Sequence, residues 1–206
     1  MKKFELTTEF ITNFLGTKLF RIKALVEFGK VEKGELGGFV EKEENLDHDG
    51  DAWVSGNAWV YGNARVSGNA EVYGDAEVYG NARVYGDARV YGDAMVYGNA
   101  RVSGNARVYG NAWVSGNARV SGDAWVSGDQ MYAAVKGFGS EYRNTTFFIT
   151  KDGNVCVNCG CFSGTLEQFR EKVEETHKDT KYAKEYLMIA DLMEMHFKEE
   201  LEKIKK

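Results

Sequence analysis

Between Gly50 and Ser127 small or apolar residues recur at a fixed period of six. The unit reads Gly, Asn or Asp, Ala, a variable residue, Val, then Tyr or Ser, and thirteen copies follow one another without a break. A strand sends successive side chains to opposite faces, so Ala and Val share one side while the fourth and sixth residues share the other. Gly followed by Asn or Asp supplies the turn, because these residues adopt positive φ at low cost. One unit cannot bury its own Ala and Val, whereas a stack of units can, and the pattern predicts a solenoid. Upstream, Val40 and Leu46 keep the spacing of six, which then slips by two before Val54. This predicts an irregular first coil over 36–49, with a loop at Asp47-His48-Asp49.

The flanks follow other periods. Residues 1–35 hold an apolar stretch around Phe10, Ile11, Phe14 and Leu15, then a partly alternating run from Leu19 to Val26. They read as a cap, since an open solenoid end exposes core and unpaired strand edges. The repeat fails after Gly128. Short strands are expected at Met131–Val135, Thr145–Thr150 and Asn154–Val157, with a hairpin turn at Lys151-Asp152-Gly153. Thr165 and Gln168 form a capping box that opens a helix over 166–177. Asp179 is expected to cap a second helix, whose apolar pattern from Tyr182 to Phe197 carries it to about 203. The organisation expected is a cap over 1–35, a coil over 36–129 and a small α+β unit over 130–206.

An aliphatic residue followed four positions later by a small one, as in Val54 and Ala58 or Val60 and Ala64, resembles the hexapeptide repeat of left-handed parallel β-helices. That resemblance implies a mainly β chain with three units per triangular coil, so that residues eighteen apart stack about 4.8 Å from each other. The thirteen units then give a little over four coils. Phe20-Arg21-Ile22-Lys23-Ala24-Leu25, Gly34-Glu35-Leu36-Gly37-Gly38-Phe39-Val40-Glu41, the repeats, and a tail with Gly160-Cys161-Phe162-Ser163-Gly164-Thr165-Leu166-Glu167 together resemble uncharacterised hexapeptide-repeat proteins of bacteria and their phages. The resemblance implies a phage or prophage setting and speaks for fold far more than for activity.

Sorted by eighteen, the outward residues form three faces. One carries Trp53, Glu71, Arg89, Arg107 and Trp125 beside Ser55, Tyr73, Tyr91, Tyr109 and Ser127. The second carries Trp59, Glu77, Met95 and Trp113 beside Tyr61, Tyr79, Tyr97 and Ser115. The third carries an unbroken column, Arg65, Arg83, Arg101 and Arg119, beside Ser67, Tyr85, Ser103 and Ser121. Stacked arginines repel unless a carboxylate, a phosphate or an aromatic ring offsets them, so this column is a candidate site for an anionic partner. The strip of Trp59, Tyr61, Tyr79, Tyr97 and Trp113 is the candidate subunit interface, because exposed aromatic patches mark interaction surfaces.

Composition and charge narrow the chemistry. The chain has 206 residues, a net charge of −5, 24 glycines and no proline. The repeats hold six arginines against five aspartates and two glutamates, a balance that points away from nucleic acid. No apolar run approaches the ~20 residues of a membrane span, and the start lacks the apolar region of a secretory signal. A cytoplasmic protein is expected, in the host cytoplasm if phage-encoded. Acyltransferases of the resembled fold use a coil histidine, yet the only histidines are His48, His177 and His196, all outside the repeats. Cys156, Cys159 and Cys161 contain a C-x-x-C, and with His177 they are weak metal candidates without a second ligand pair. Reduced cysteine packed as a small apolar residue is the preferred reading. No cofactor is expected.

These readings lead to a non-catalytic, homo-oligomeric binding scaffold, a trimer or a dimer. The phage setting that the resemblance implies adds a counter-defence role, by sequestering a small anionic ligand or blocking a host protein. The alternative is an acyl- or nucleotidyl-sugar transferase.

Overall fold

The computed structural model describes residues 1–204. Strand β1 (Phe4–Thr12) pairs antiparallel with β2 (Lys18–Ala24), and β2 pairs antiparallel with β3 (Leu36–Val40). Thirteen two-residue strands follow, from β4 (Trp53–Val54) to β16 (Trp125–Val126), one for each repeat. They stack in parallel on three sides and make a β-solenoid of about five turns. The offset of eighteen holds throughout the repeats. Val54, Val72, Val90, Val108 and Val126 are successive partners on one side, and Val66, Val84, Val102 and Val120 on another.

The first coil is irregular as its spacing predicts. Val40 pairs with Val60 and Leu46 with Val66, offsets of twenty rather than eighteen, and the two extra residues are taken up in the loop before Val54.

Every repeat alanine and valine is fully buried, which fixes the inward side. Each coil donates backbone N–H groups to carbonyls of the next, for example Arg89 to Ala106 at 2.9 Å and Tyr91 to Val108 at 3.0 Å. The corner residues add a ladder of their own. The Asn63 side-chain amide donates to Asn81 at 3.2 Å, and Asn81 to Asn99 and Asn99 to Asn117 at the same distance. Asn and Asp thus do more than tolerate the turn, because their side chains tie one corner to the next. Gly at the preceding position is required by its backbone. Gly86 has φ +74°, and a Cβ there would stand 3.0 Å from the Gly104 nitrogen.

At the solenoid's start there is no earlier coil to supply donors. The Lys3 ammonium donates to the Gly50 and Ala52 carbonyls at 3.1 and 2.9 Å, and the Asn45 amide to those of Gly62 and Ala64 at 3.2 and 2.8 Å. Burial lowers the Lys3 pKa from its ordinary value, against the pull of Asp47, Asp51 and Asp49. Phe4, Ile22 and Ala24 complete the apolar lid.

The far end is closed by a four-stranded antiparallel sheet: β17 (Tyr132–Val135), β18 (Thr145–Ile149), β19 (Val155–Cys159) and β20 (Phe162–Thr165). Two helices, α1 (Leu166–His177) and α2 (Lys181–Ile204), pack on this sheet through Phe169, Val173 and Tyr186. The capping box at Thr165 and Gln168 is present. One strand is added and one expectation is corrected. Strand β20 was not legible, since Phe162-Ser163-Gly164 lacks an alternating apolar pattern. The second helix is capped by the Thr180 hydroxyl, which accepts from the Ala183 N–H at 3.4 Å, and not by Asp179. Among the described residues no helix is long and apolar enough to cross a membrane.

Candidate functional site

Arg65, Arg83, Arg101 and Arg119 are mutual partners in successive coils, and all four side chains are exposed. Among the described residues none has a carboxylate within ion-pairing distance, and none lies over an aromatic ring. Arg119 donates through Nη1 to the Gly160 carbonyl at 3.0 Å. The arginines of the neighbouring face are compensated. Arg89 Nε lies 3.3 Å from Glu71 Oε2, and Arg107 sits 5.6 Å from the Trp125 ring centre.

The column lies in a groove with a wall at each end. A hollow of about 610 Å³ is bounded by Glu43, Glu44, Asp47 and His48 of the first coil and by Arg65, Arg83, Arg101 and Tyr85. A second hollow, of about 310 Å³, lies between Tyr85, Arg101 and Arg119 and the turn Gly160–Ser163 of the end sheet. The two meet at Tyr85 and Arg101. The Asn158 amide holds the second wall in place by donating to the Arg119 carbonyl at 2.9 Å and to the Ser121 hydroxyl at 3.0 Å. Neither wall was legible in the sequence. Glu43 is held below the usual carboxylate range by its hydrogen bond from Lys2, so it is an anion at neutral pH.

The aromatic strip is only partly outward. Tyr61, Tyr79 and Tyr97 stack with ring centres 5.0 Å apart and planes within 5° of parallel. Tyr61 is buried at 5% exposure, because Leu19 of the hairpin and Phe39 cover it, with Ile11 packed alongside. Its hydroxyl donates to Glu77 at 3.1 Å, and burial, reinforced by that carboxylate, raises its pKa. Trp59 is half-buried beside it, while Trp113 is 49% exposed at the other end. The expectation that all five residues face a second subunit is corrected for Tyr61, whose covering is supplied by its own chain. Trp53 is likewise buried, with Phe28 edge-on at 5.4 Å.

The cysteines are divided by strand parity. Cys156 faces the solenoid side near Asp123, and burial pushes its thiol up. Cys159 points the other way, accepting from the Thr145 hydroxyl at 3.2 Å and lying 3.8 Å from the Tyr186 oxygen. Cys161 is exposed in the turn. His177 packs near Tyr182 and Tyr186 at the end of α1. Residues three apart on a strand point to opposite faces, so the C-x-x-C spacing does not make a chelate in β19. Among the described residues no three His, Cys, Asp or Glu side chains converge as a metal set.

A family model for the YdcK beta-solenoid repeat matches residues 58–74, 76–89, 88–103, 100–116 and 112–128. No curated protein matches the chain. The matched segments lie within the coil and agree with its architecture, and the chain is a repeat β-helix protein.

Proposed function

We propose that the protein is a non-catalytic binding scaffold whose arginine groove takes an anionic ligand and that it works as a homo-oligomer. The observation that carries this reading is the uncompensated column: four guanidinium groups in register, exposed, walled at both ends and without a carboxylate partner among the described residues. At a surface dielectric near that of water, two unit charges roughly 6 Å apart repel by about 0.7 kcal/mol. An anion bridging them removes that repulsion and gains charge-assisted hydrogen bonds of fixed fork geometry. The rigid ladder beneath fixes the backbone positions and register of the four arginines, so no backbone ordering is lost on binding.

Holding a ligand without turning it over fits repeats that carry no histidine, since a general base must sit within hydrogen-bond reach of its proton. His48, at the groove's end, already accepts from the Lys3 N–H through Nδ1 at 3.2 Å and lies 3.7 Å from Glu43 through Nε2. Sequestration of a small anion is the activity proposed. The half-buried Tyr79 and Tyr97 and the exposed Trp113 are the proposed contact between subunits.

Calorimetric titration with inorganic tripolyphosphate tests the groove. The unmodified protein is expected to bind, with affinity falling as salt rises, and Arg83→Glu with Arg101→Glu to abolish binding while the melting temperature holds. Absence of binding by the unmodified protein at low salt overturns the groove. Incubation with acetyl-coenzyme A and a panel of amines tests the non-catalytic reading, and release of free coenzyme would overturn it.

A further inference from the structure

The sixth residues of the arginine face read Ser67, Tyr85, Ser103 and Ser121. On the other two faces the corresponding tyrosines stack with centres 4.8–5.0 Å apart and planes within 8° of parallel. Tyr85 is the one repeat tyrosine with serine in both neighbouring coils, and it is 39% exposed. Tyr85 lines two hollows, one of about 610 Å³ that also takes in Ser67 and one of about 310 Å³ that also takes in Ser103. The coil therefore repeats a ring-stacking geometry on two sides and interrupts it on the third, beside the uncompensated arginines.

We infer that the space over Ser103 is a stacking slot for a planar aromatic ring and that the groove's anionic ligand is a nucleotide, its base on Tyr85 and its phosphates on Arg101 and Arg119. A ring there continues the stack as Tyr97 continues it over Tyr79, and base–aromatic stacking accepts any base because every base has a π-face. The Ser103 side is preferred over the Ser67 side on charge. The hollow toward Ser67 contains Glu43, Glu44 and Asp47, which repel a polyphosphate, whereas the other is walled by the uncharged Asn158, Cys161 and Phe162. Arg101 lies beside Ser103 on the same strand edge, so the slot and the charge adjoin. The combined hollows fall in the range of about 300–1,000 Å³ that small-molecule sites occupy. This inference rests on the anionic groove proposed above and adds to it the chemical class of the ligand.

The test compares adenosine 5′-triphosphate with inorganic tripolyphosphate on the full-length protein, by calorimetry at one salt concentration. The nucleotide is expected to bind about tenfold or more tightly, the contribution of one stacked base. Tyr85→Ala should remove that preference and Tyr85→Phe should keep it. Ser103→Tyr, which fills the slot with a ring the repeat already tolerates elsewhere, should also remove it while tripolyphosphate binding and melting temperature stay unchanged. Equal affinity for the two compounds, or a nucleotide preference that survives Tyr85→Ala, overturns the stacking slot and leaves the anion groove standing. Failure of both compounds to bind overturns the groove itself and the slot with it.

Discussion

On the face that begins at Trp53, Arg89 meets the Glu71 carboxylate at 3.3 Å, and Tyr73, Tyr91 and Tyr109 stack ring on ring. On the face with Arg65, Arg83, Arg101 and Arg119, no such carboxylate is met and Tyr85 stands between serines. Both faces are hung on the same ladder of hydrogen bonds and the same buried Ala and Val. The backbone and core therefore do not dictate what the outward residues are. Where outward residues satisfy one another, they serve the coil; where they leave charge and ring surface unsatisfied, they are available to something else. Sites of this kind carry a stability cost that a protein retains for function.

The comparison requires that both faces stand on one interior, and the largest effect tests that. Val90 lies under the compensated face and Val84 under the arginine face, each fully buried. An aspartate at either position puts an unpartnered charge into a dry core. Val90→Asp and Val84→Asp should each give insoluble or unfolded protein, while Arg89→Asp and Arg83→Asp remain soluble. A soluble, cooperatively melting Val84→Asp would show that the third side is not core.

Next in size is assembly. Tyr79→Lys with Tyr97→Lys places two cations where the strip would face a second subunit, at a cost of several kcal/mol through repulsion and desolvation. Light scattering should show an oligomer for the unmodified chain and a shift toward monomer for the double variant. A monomer at micromolar concentration before any substitution removes the subunit contact from the account but leaves the groove intact.

How much was legible follows from where the information lies. The period of six, the parity of each repeat and the slip before Val54 are local features, and they give the coil, its inward column and its irregular first turn. The buried state of Tyr61 and Trp53 was not legible, because Leu19 and Phe28 reach them only after the cap has folded over the first coil. The same holds for the site. The arginine column follows from spacing, but its walls come from Glu43–His48 and Asn158–Ser163, which only folding brings to it. Tyr85 could have been singled out from the sequence, since the serines eighteen residues to either side already mark the break in the stack.

A smaller effect concerns alkaline pH. Burial raises the pKa of Tyr61 and Tyr79 above the ordinary value of 10, with Glu77 adding to both. A group that holds its proton more tightly when folded contributes stability below its unfolded pKa and loses it as pH climbs through the folded one. Melting temperature should therefore fall as pH rises above 10, and Tyr61→Phe should fall less steeply. Parallel curves for the two proteins would remove Tyr61 from the stability of the filled face.

The central claim is that the arginine column is carried for binding and not for the coil. Its most direct test is a pair of single substitutions measured without ligand at low salt. Arg89→Gln gives up an ion pair with Glu71, which at a half-exposed site is worth up to about 1 kcal/mol, and should lower the melting temperature by a few degrees at most. Arg101→Gln relieves repulsion from Arg83 and Arg119 and should leave the melting temperature unchanged or raise it. A fall for Arg101→Gln as large as that for Arg89→Gln would make the column part of the scaffold and contradict the account.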